Sequence, residues 1–499
     1  MIERLMLGAA VALQPISLLM VLLGVTWGII GGALPGITGS IAMALLLPLT
    51  FGLEPTVALM MLAGVYIGSM FGGSIPAILI RAPGTPGAAV TLIDGYELHQ
   101  RGKSGQALGV SLVASTIGGV LSVFILVVLA VPLSKFALAF GPAEYFALGV
   151  LGLTLIASFA ARDLTKGAIS AILGLILATV GTDPFSGTPR FAFGTTDLLT
   201  GVSIVTGMIG LFAVSEIFHQ IAESEGWAAI QGRFSARLPR ILEIWKLRGS
   251  MLIGTLVGAI GGMLPGAGGA VAAFITYDTA KRWSKEPEKF GRGALEGIAA
   301  PETANNVVTG TALIPLLTFG IPGSNSAAIL LAAMMLHGVQ PGPLLFSETP
   351  QTVYGLFVGM LVANLMMLVL GYLAVRPAVA VVNIKQPYLL AGILGLILVG
   401  AFAINNRMFE VWIVLGTGLL GYAMRRYGYN VLAMVLGLVL GFMVESNLRR
   451  SLLISRGDPW VFLSRPISCV LLVLALSALL WPIVRQIRDR KRKQPTEGE

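Results

Sequence analysis

Charged side chains are absent from long tracts of this chain. No Asp, Glu, Lys, Arg or His occurs from Leu5 to Leu53, from Ala107 to Ser134, from Gly249 to Tyr277 or from Thr352 to Val375. A helix that crosses a bilayer needs about 20 apolar residues, so each tract is long enough to cross at least once. The pattern predicts an all-α polytopic membrane protein. Hydropathy places spans near 8–30, 38–53, 56–80, 107–132, 143–160, 166–181 and 199–217. After a polar segment they resume near 250–277, 305–335, 352–375, 387–404, 410–424, 430–446 and 466–484. Several are short or carry internal Gly and Pro, which points to discontinuous helices or re-entrant hairpins among about 11–14 membrane segments.

An internal repeat organises these spans. GGALPGITGSIA at 31–42 matches GGMLPGAGGAVA at 261–272 at seven of twelve positions, and LLGVTWGII at 22–30 aligns with LIGTLVGAI at 252–260. ALGVLGLTL at 147–155 resembles LAGILGLIL at 390–398. PLTFG at 48–52 has an echo in PLLTFG at 315–320, and PGTPGAA at 83–89 in PGSNSAA at 322–328, though not in one fixed register. The expected organisation is a first transmembrane repeat over 1–217, a polar connector over 218–248, a second repeat over 249–484 and a basic tail over 485–499.

Composition agrees with the pattern and adds an orientation. The 499 residues are 56% hydrophobic and 11% charged, against about 25% charged in a soluble domain. The net charge of +9 sits in loops and at the tail, which fits the positive-inside bias rather than nucleic-acid binding. The run Arg485, Arg488, Arg490, Lys491, Arg492, Lys493 and the connector residues Arg233, Arg237, Arg240, Lys246 and Arg248 mark the cytoplasmic side. Binding to anionic lipid is the alternative use of that tail. The first apolar stretch is longer than a cleaved signal peptide and runs on without a cleavage site. One cysteine, Cys469, allows no intramolecular disulfide, and His99, His219 and His337 are too scattered for a zinc centre.

The Pro-Gly pairs are the first candidates for chemistry. Proline removes a helical hydrogen bond and glycine tolerates unusual dihedrals. Freed backbone at membrane depth must find partners in protein or a water-lined cavity. Breaks at Pro35-Gly36, Pro83-Gly84, Pro265-Gly266 and Pro322-Gly323 would therefore be unwound segments whose half-helix N-termini direct N–H groups and partial positive charge at a carboxylate. Such interruptions at corresponding places in two halves point to a transporter binding site. Close helix packing is the alternative role for glycine, and accounts for most of the 63 glycines. Around the breaks, Thr38, Ser40, Ser74, Thr85 and Thr91 in the first half, and Thr309, Thr318, Ser324, Asn325 and Ser326 in the second, offer donors to carboxylates or oxygens to Na⁺. Each could instead bond back to its own helix. Gly39, Pro86 and Gly268 complete the candidate substrate-binding set.

A second candidate is Pro301-Glu302-Thr303-Ala304-Asn305-Asn306. An ionisable residue within a membrane segment is a functional candidate. Glu302 could take a proton or Na⁺, with the Asn305 and Asn306 carbonyls as further ligands. Alternatively, Pro301 and Glu302 start an interfacial helix. Asp94 in Ile93-Asp94-Gly95-Tyr96 and Asp183 in Thr182-Asp183-Pro184 read as surface turns. No GxxxxGK[ST] loop is present, so no ATPase activity is expected, and neither HExxH nor GxSxG occurs.

Through these blocks the chain resembles the large membrane subunit of the tripartite tricarboxylate transporter family. The resembling stretches are GGALPGITGS, the run from Pro48 to Leu108, GGMLPGAGG, and the run from Phe290 to Phe346, with likeness extending to about residue 450. The resemblance implies a bacterial inner-membrane permease working with a small membrane subunit and a periplasmic solute-binding protein. It implies drive by a Na⁺ or H⁺ gradient without ATP, no cofactor, and citrate or other carboxylates, some aromatic, as substrates. The matched motif residues are Pro35 and Gly36, Pro83 to Pro86, Pro265 and Gly266, Glu302, Asn305, Asn306, and Pro322 to Asn325.

The resulting expectation is alternating access, with a carboxylate held between the halves and a coupling cation beside it at Glu302. A passive anion channel is the alternative, although no repeated filter-like ring is visible. A membrane enzyme would need a cluster of catalytic groups, which the sparse intramembrane charge does not supply.

Overall fold

The computed structural model describes residues 2–34, 37–159, 163–222, 236–382 and 386–493. It is 80% helical. The first stretch holds α1 (Ile2–Ala12), α2 (Pro15–Ala33), α3 (Gly39–Leu46), α4 (Pro55–Gly72), α5 (Ser74–Ile80), α6 (Thr91–Gln100) and α7 (Ser104–Ala137). Then come α8 (Pro142–Phe159), α9 (Leu164–Ala178), a two-stranded hairpin of β1 (Gly181–Thr182) and β2 (Pro189–Arg190), α10 (Ile204–Ile209) and α11 (Ser215–Ala222). The second stretch holds α12 (Ile241–Met263), α13 (Gly268–Trp283), α14 (Glu296–Thr311), α15 (Leu313–Phe319), α16 (Asn325–Leu336), α17 (Leu345–Glu348) and α18 (Pro350–Val382). The chain closes with α19 (Gln386–Asn405), α20 (Met408–Arg426), α21 (Val431–Ile454), α22 (Val461–Ser464) and α23 (Pro466–Lys493).

Among the described residues, seven helical segments are long and apolar enough to cross a membrane, and five shorter apolar helices accompany them. The expected span at 305–335 is not one helix, because it divides into α14, α15 and α16. Likewise 250–277 is interrupted between α12 and α13. Of the expected connector, residues 241–248 are the opening turns of α12, and 223–235 lie outside the described residues. The basic residues 485–493 continue α23.

By packing, the chain forms two compact units, Met1–Leu138 with Met208–Tyr422, and Ala139–Gly207 with Ala423–Glu499. Each draws on both halves of the sequence, so spatial compactness divides the chain differently from sequence similarity.

In the first unit, glycine rows bring backbones together. A Cβ on Gly24, Gly28 or Gly32 of α2 would lie 2.2–2.4 Å from the carbonyl oxygens of Met61, Val65 and Ser69 on α4. On α12, a Cβ on Gly254 or Gly258 would lie 2.5–2.7 Å from the carbonyl oxygens of Ala300 and Ala304 on α14, and one on Gly262 would strike the Thr311 hydroxyl. Lipid is as apolar as leucine and gives no hydrophobic drive for helices to associate, so close approach and dispersion must supply it. The other faces carry Leu19, Leu22 and Leu23 on α2, and Leu252, Leu256 and Ile260 on α12, all exposed as lipid-facing residues should be. α4 is apolar all round and buried throughout its length.

The match between the two stretches extends to the breaks. α4 meets α5 at Gly73, and α14 meets α15 at Ala312. α5 ends in left-handed Arg81 (φ 59°) and α15 in left-handed Gly320 (φ 74°). Gly84 then lies against the Gly32 carbonyl and the Gly73 Cα, as Gly323 lies against the Gly262 carbonyl and the Ala312 Cα. PGTPGAA and PGSNSAA therefore occupy corresponding places. PLTFG and PLLTFG do not, since 48–52 belongs to a 3₁₀ turn after α3 while 315–319 lies in α15.

In the second unit, α9 crosses α21 where a Cβ on Gly174 or Gly437 would lie 2.0–2.2 Å from the Met434 or Ala171 carbonyl oxygen. The hairpin is tied to α21 by an ion-pair chain. Arg190 bonds Glu445 at 2.7 Å, Glu445 bonds Arg449 at 2.7 Å, and Arg449 bonds Asp183 at 2.9 Å. Asp183 does sit in a turn, where it also accepts the Phe185 N–H at 3.0 Å. That bond and the Arg449 guanidinium hold its carboxyl well below the usual carboxylate range. A depressed folded pKa gives stability that is complete above the unfolded value, about 3.9, and is lost as pH falls through the folded one. Asp183→Asn should therefore melt below wild type at pH 7 in detergent, with the gap narrowing as pH falls below about 4. A gap independent of pH would mean that the ionised pair contributes nothing.

Candidate functional site

Glu302 lies in the second turn of α14, which begins at Glu296, so Pro301 is inside the helix rather than at its start. The side chain is 1% exposed. A charge so buried is costly unless compensated, and compensation comes from three hydroxyls on the first stretch. Ser74 of α5 donates to Oε1 at 2.6 Å, Thr91 of α6 donates to the same oxygen, and Ser115 of α7 donates to Oε2 at 2.9 Å. Ser111, one turn before Ser115, adds a fourth buried hydroxyl beside this carboxylate. α7 reaches α14 because a Cβ on Gly118 would lie 2.5 Å from the Thr303 carbonyl oxygen. No other residue type at Gly118 allows this approach without displacement.

The corresponding place in the other stretch is apolar. The glycine contacts pair Val65 with Ala304, which sets Ala63 opposite Glu302 in the register of α4 and α14. In the register of the breaks, Ser74 corresponds to Leu313 and Thr91 to Leu330. The carboxylate of the second stretch thus meets hydroxyls of the first, while the positions matching them, Ala63 on the first stretch and Leu313 and Leu330 on the second, carry neither.

The two asparagines part company. Asn306 Nδ2 donates to the Glu302 carbonyl at 2.9 Å, leaving its Oδ1 without a partner. The Asn305 amide points away to the breaks. Its Oδ1 lies where a Cβ on Gly87 or Gly269 would come within 2.0 or 2.4 Å, and neither Oδ1 nor Nδ2 has a hydrogen-bond partner.

The breaks themselves differ. Pro35 and Gly36 lie outside the described residues. After them, Thr38 and Ser40 bond each other at 2.9 Å, and Gly39 packs on the Ser69 hydroxyl. Pro83, Gly84, Thr85 and Pro86 form the extended passage from α5 to a 3₁₀ turn over Pro86–Ala89, with the Gly84 N–H bonded to the Gly73 carbonyl at 3.1 Å. Pro265 and Gly266 lie between α12 and α13, and Gly268 opens α13; Gly266 (φ 87°) and Gly268 (φ 59°) are left-handed, a conformation that favours glycine. Pro322, Gly323 and Ser324 lead into α16, whose first residue is the exposed Asn325. The Ser324 hydroxyl accepts the Ala327 N–H at 3.1 Å and bonds the Tyr66 hydroxyl at 2.9 Å.

Ser111, Ser115 and Tyr66 escaped the sequence reading. The serines carry a signal, an i, i+4 pair of hydroxyls on one face of an uncharged helix. Tyr66 has none that distinguishes it from a core aromatic. Asp94 corrects the surface-turn reading: it is fully buried. Its Oδ1 accepts the N–H groups of Gly291, Gly293 and Ala294 at 2.8–2.9 Å, and Oδ2 accepts the Tyr277 hydroxyl at 2.8 Å. Left-handed Gly291 (φ 82°) and Gly293 (φ 86°) let successive N–H groups converge on one anion. The sequence pair Asp-Gly signals a turn, but the partners of this carboxylate lie nearly 200 residues away in the chain.

These features define a multi-pass helical membrane protein with interrupted helices and a buried carboxylate at their junction, the architecture of a permease. Residues 18–436 match the Tripartite tricarboxylate transporter TctA family, and the chain belongs to it. Along 99% of its length it is 37% identical to 98% of an uncharacterized 52.8 kDa protein in the TAR-I ttuC′ 3′ region of Agrobacterium vitis. A shorter Agrobacterium vitis protein, from the TAR-II ttuC′ 3′ region, is 37% identical over 47% of this chain and 97% of its own length. No solved structure matches the chain.

Asp94→Ala strands three backbone N–H groups and the Tyr277 hydroxyl, at about 1–3 kcal/mol for each group left buried and unpaired. Thermal unfolding in detergent should show a loss of about 3 kcal/mol, with Asp94→Asn intermediate. Wild-type stability in Asp94→Ala would remove Asp94 from its role as a clamp.

Proposed function

We propose that this chain is the permease subunit of a secondary transporter in the bacterial inner membrane, importing tricarboxylates or other organic carboxylates. In this reading a periplasmic solute-binding protein delivers the substrate and a small membrane subunit completes the complex. The two matched stretches act as duplicated units that move against one another. The observation that carries the reading is Glu302: a buried carboxylate on one stretch, held by hydroxyls of the other, beside interrupted helices.

That arrangement suits coupling to Na⁺ or H⁺. The hydroxyls of Ser74, Thr91 and Ser115 each have a donor hydrogen and acceptor lone pairs. They can donate to an ionised Glu302 or turn their oxygens towards a cation beside it. A proton on Glu302, or a Na⁺ next to it, neutralises the charge and loosens the tie between the stretches. The coupling ion thereby acts on the contact that must change in alternating access. Glu302 and Asn306, with its free Oδ1, remain candidates for the cation site.

The test is uptake by the permease reconstituted with its small subunit and binding protein, under imposed Na⁺ or H⁺ gradients. Wild-type uptake of labelled citrate or another carboxylate should follow one of the gradients. Glu302→Gln keeps the shape and removes the charge, and should abolish the gradient dependence. Uptake indifferent to both gradients in wild type would refute coupled transport. Unaltered ion dependence in Glu302→Gln would remove Glu302 from the coupling role.

A further inference from the structure

The breaks after α5 and α15 place the same kinds of groups in corresponding positions, yet one arrangement is complete and the other is open. Tyr66 on α4 corresponds to Asn305 on α14, each being the residue after a glycine-packed carbonyl, Val65 and Ala304 respectively. Thr85 and Ser324 each follow a Pro-Gly pair and precede a helical turn. On the Tyr66 side the hydroxyls of Tyr66 and Ser324 bond each other at 2.9 Å, and Ser324 also caps α16. On the Asn305 side nothing closes. Thr85 is 2% exposed and Asn305 1%, and Thr85 Oγ1, Asn305 Oδ1 and Asn305 Nδ2 have no partners. Leaving buried polar atoms unpaired costs about 1–3 kcal/mol each.

The neighbouring helix end is open in the same way. α13 starts at Gly268 and its N-cap is Ala267, which has no side-chain oxygen to accept the first-turn N–H groups. Asn305 Oδ1 lies against Gly269 in that turn. Gly268, Gly269 and Ala270 are half-buried, so a solute can approach them, whereas Asn305 forms the floor.

We propose that Asn305, Thr85 and the uncapped first turn of α13 bind one carboxylate group of the transported anion. The available groups are an amide N–H, a hydroxyl and backbone N–H groups carrying the positive end of a 16-residue helix. Donors of these kinds suit a carboxylate, whereas a hard cation requires a shell of oxygens. Asn305 is thereby moved from the cation set to the substrate set. The proposal rests on reading the chain as a carboxylate permease, and it makes the site one-sided, since Tyr66 and Ser324 fill the matching place from within.

The experiment is a thermal-shift titration of the purified permease with citrate, succinate and benzoate, repeated with NaCl in place of choline chloride. At least one carboxylate should raise the wild-type melting temperature. Asn305→Ala and Thr85→Val should each weaken its apparent affinity about tenfold, equivalent to about 1.4 kcal/mol. Asn305→Asp keeps the size of the side chain and adds a negative charge, so it should lose carboxylate binding while still melting cooperatively. Unchanged carboxylate affinity in Asn305→Ala, or tighter Na⁺ binding with intact carboxylate binding in Asn305→Asp, would overturn the subsite. A wild type that binds none of the three carboxylates would overturn the permease reading and the subsite with it.

Discussion

Backbone polar groups released inside a bilayer have no water to turn to, and this constraint governs the whole arrangement. A Pro-Gly break at membrane depth is tenable only where other protein closes around it. The structure meets the demand with glycine. The rows on α2 and α12 let α4 and α14 approach to backbone contact, and the breaks at Gly84 and Gly323 fit against the carbonyls of Gly32 and Gly262. An alanine in these places would bring a methyl group within 1.8–2.7 Å of a carbonyl oxygen or, at Gly262, against the Thr311 hydroxyl. Glycine packing and glycine at the breaks, which read as competing uses in the sequence, are parts of one device.

On this shared scaffold the chemistry is unequal. Glu302, Ser74 and Thr91 are matched in register by Ala63, Leu313 and Leu330, each on the opposite stretch from its counterpart. Tyr66 and Ser324 bond each other where Asn305 and Thr85 have unpaired atoms. The two matched frames thus differ in content: one face carries charge and unpaired polar atoms, and the other is closed by packing and its own hydrogen bond. Glu302 also joins the two stretches, as Asp94 does, since all three of its named donors come from the first stretch.

Much of this was legible in the chain. Uncharged tracts point to the helical membrane class, and the glycines ahead of the LPG blocks pack α2 on α4 and α12 on α14 alike. Residue type and proximity to the breaks single out Glu302, Asn305, Ser74, Thr85 and Thr91 as candidates, and the structure brings Ser74 and Thr91 onto Glu302. What the sequence could not convey was direction. Asn305 and Asn306 are adjacent and look like one cluster, but a helix turns successive side chains by about 100°, sending one to the breaks and the other back along α14. Asp94 looked like a turn because its partners, Gly291 to Ala294, are close only after folding. The PLTFG echo misled because local composition recurs in elements with different places in the fold, while the weaker PGTPGAA match holds true register.

The central claim is that one face of a duplicated frame receives the anion while the buried carboxylate nearby handles the coupling ion. An electron cryomicroscopy map of the permease with a saturating carboxylate tests it directly. The account predicts ligand density with a carboxylate group between Asn305, Thr85 and the first turn of α13, and unbroken Tyr66–Ser324 contact in the same state. Density instead seated on Tyr66 and Ser324, or coordinated by Glu302 itself, would contradict it.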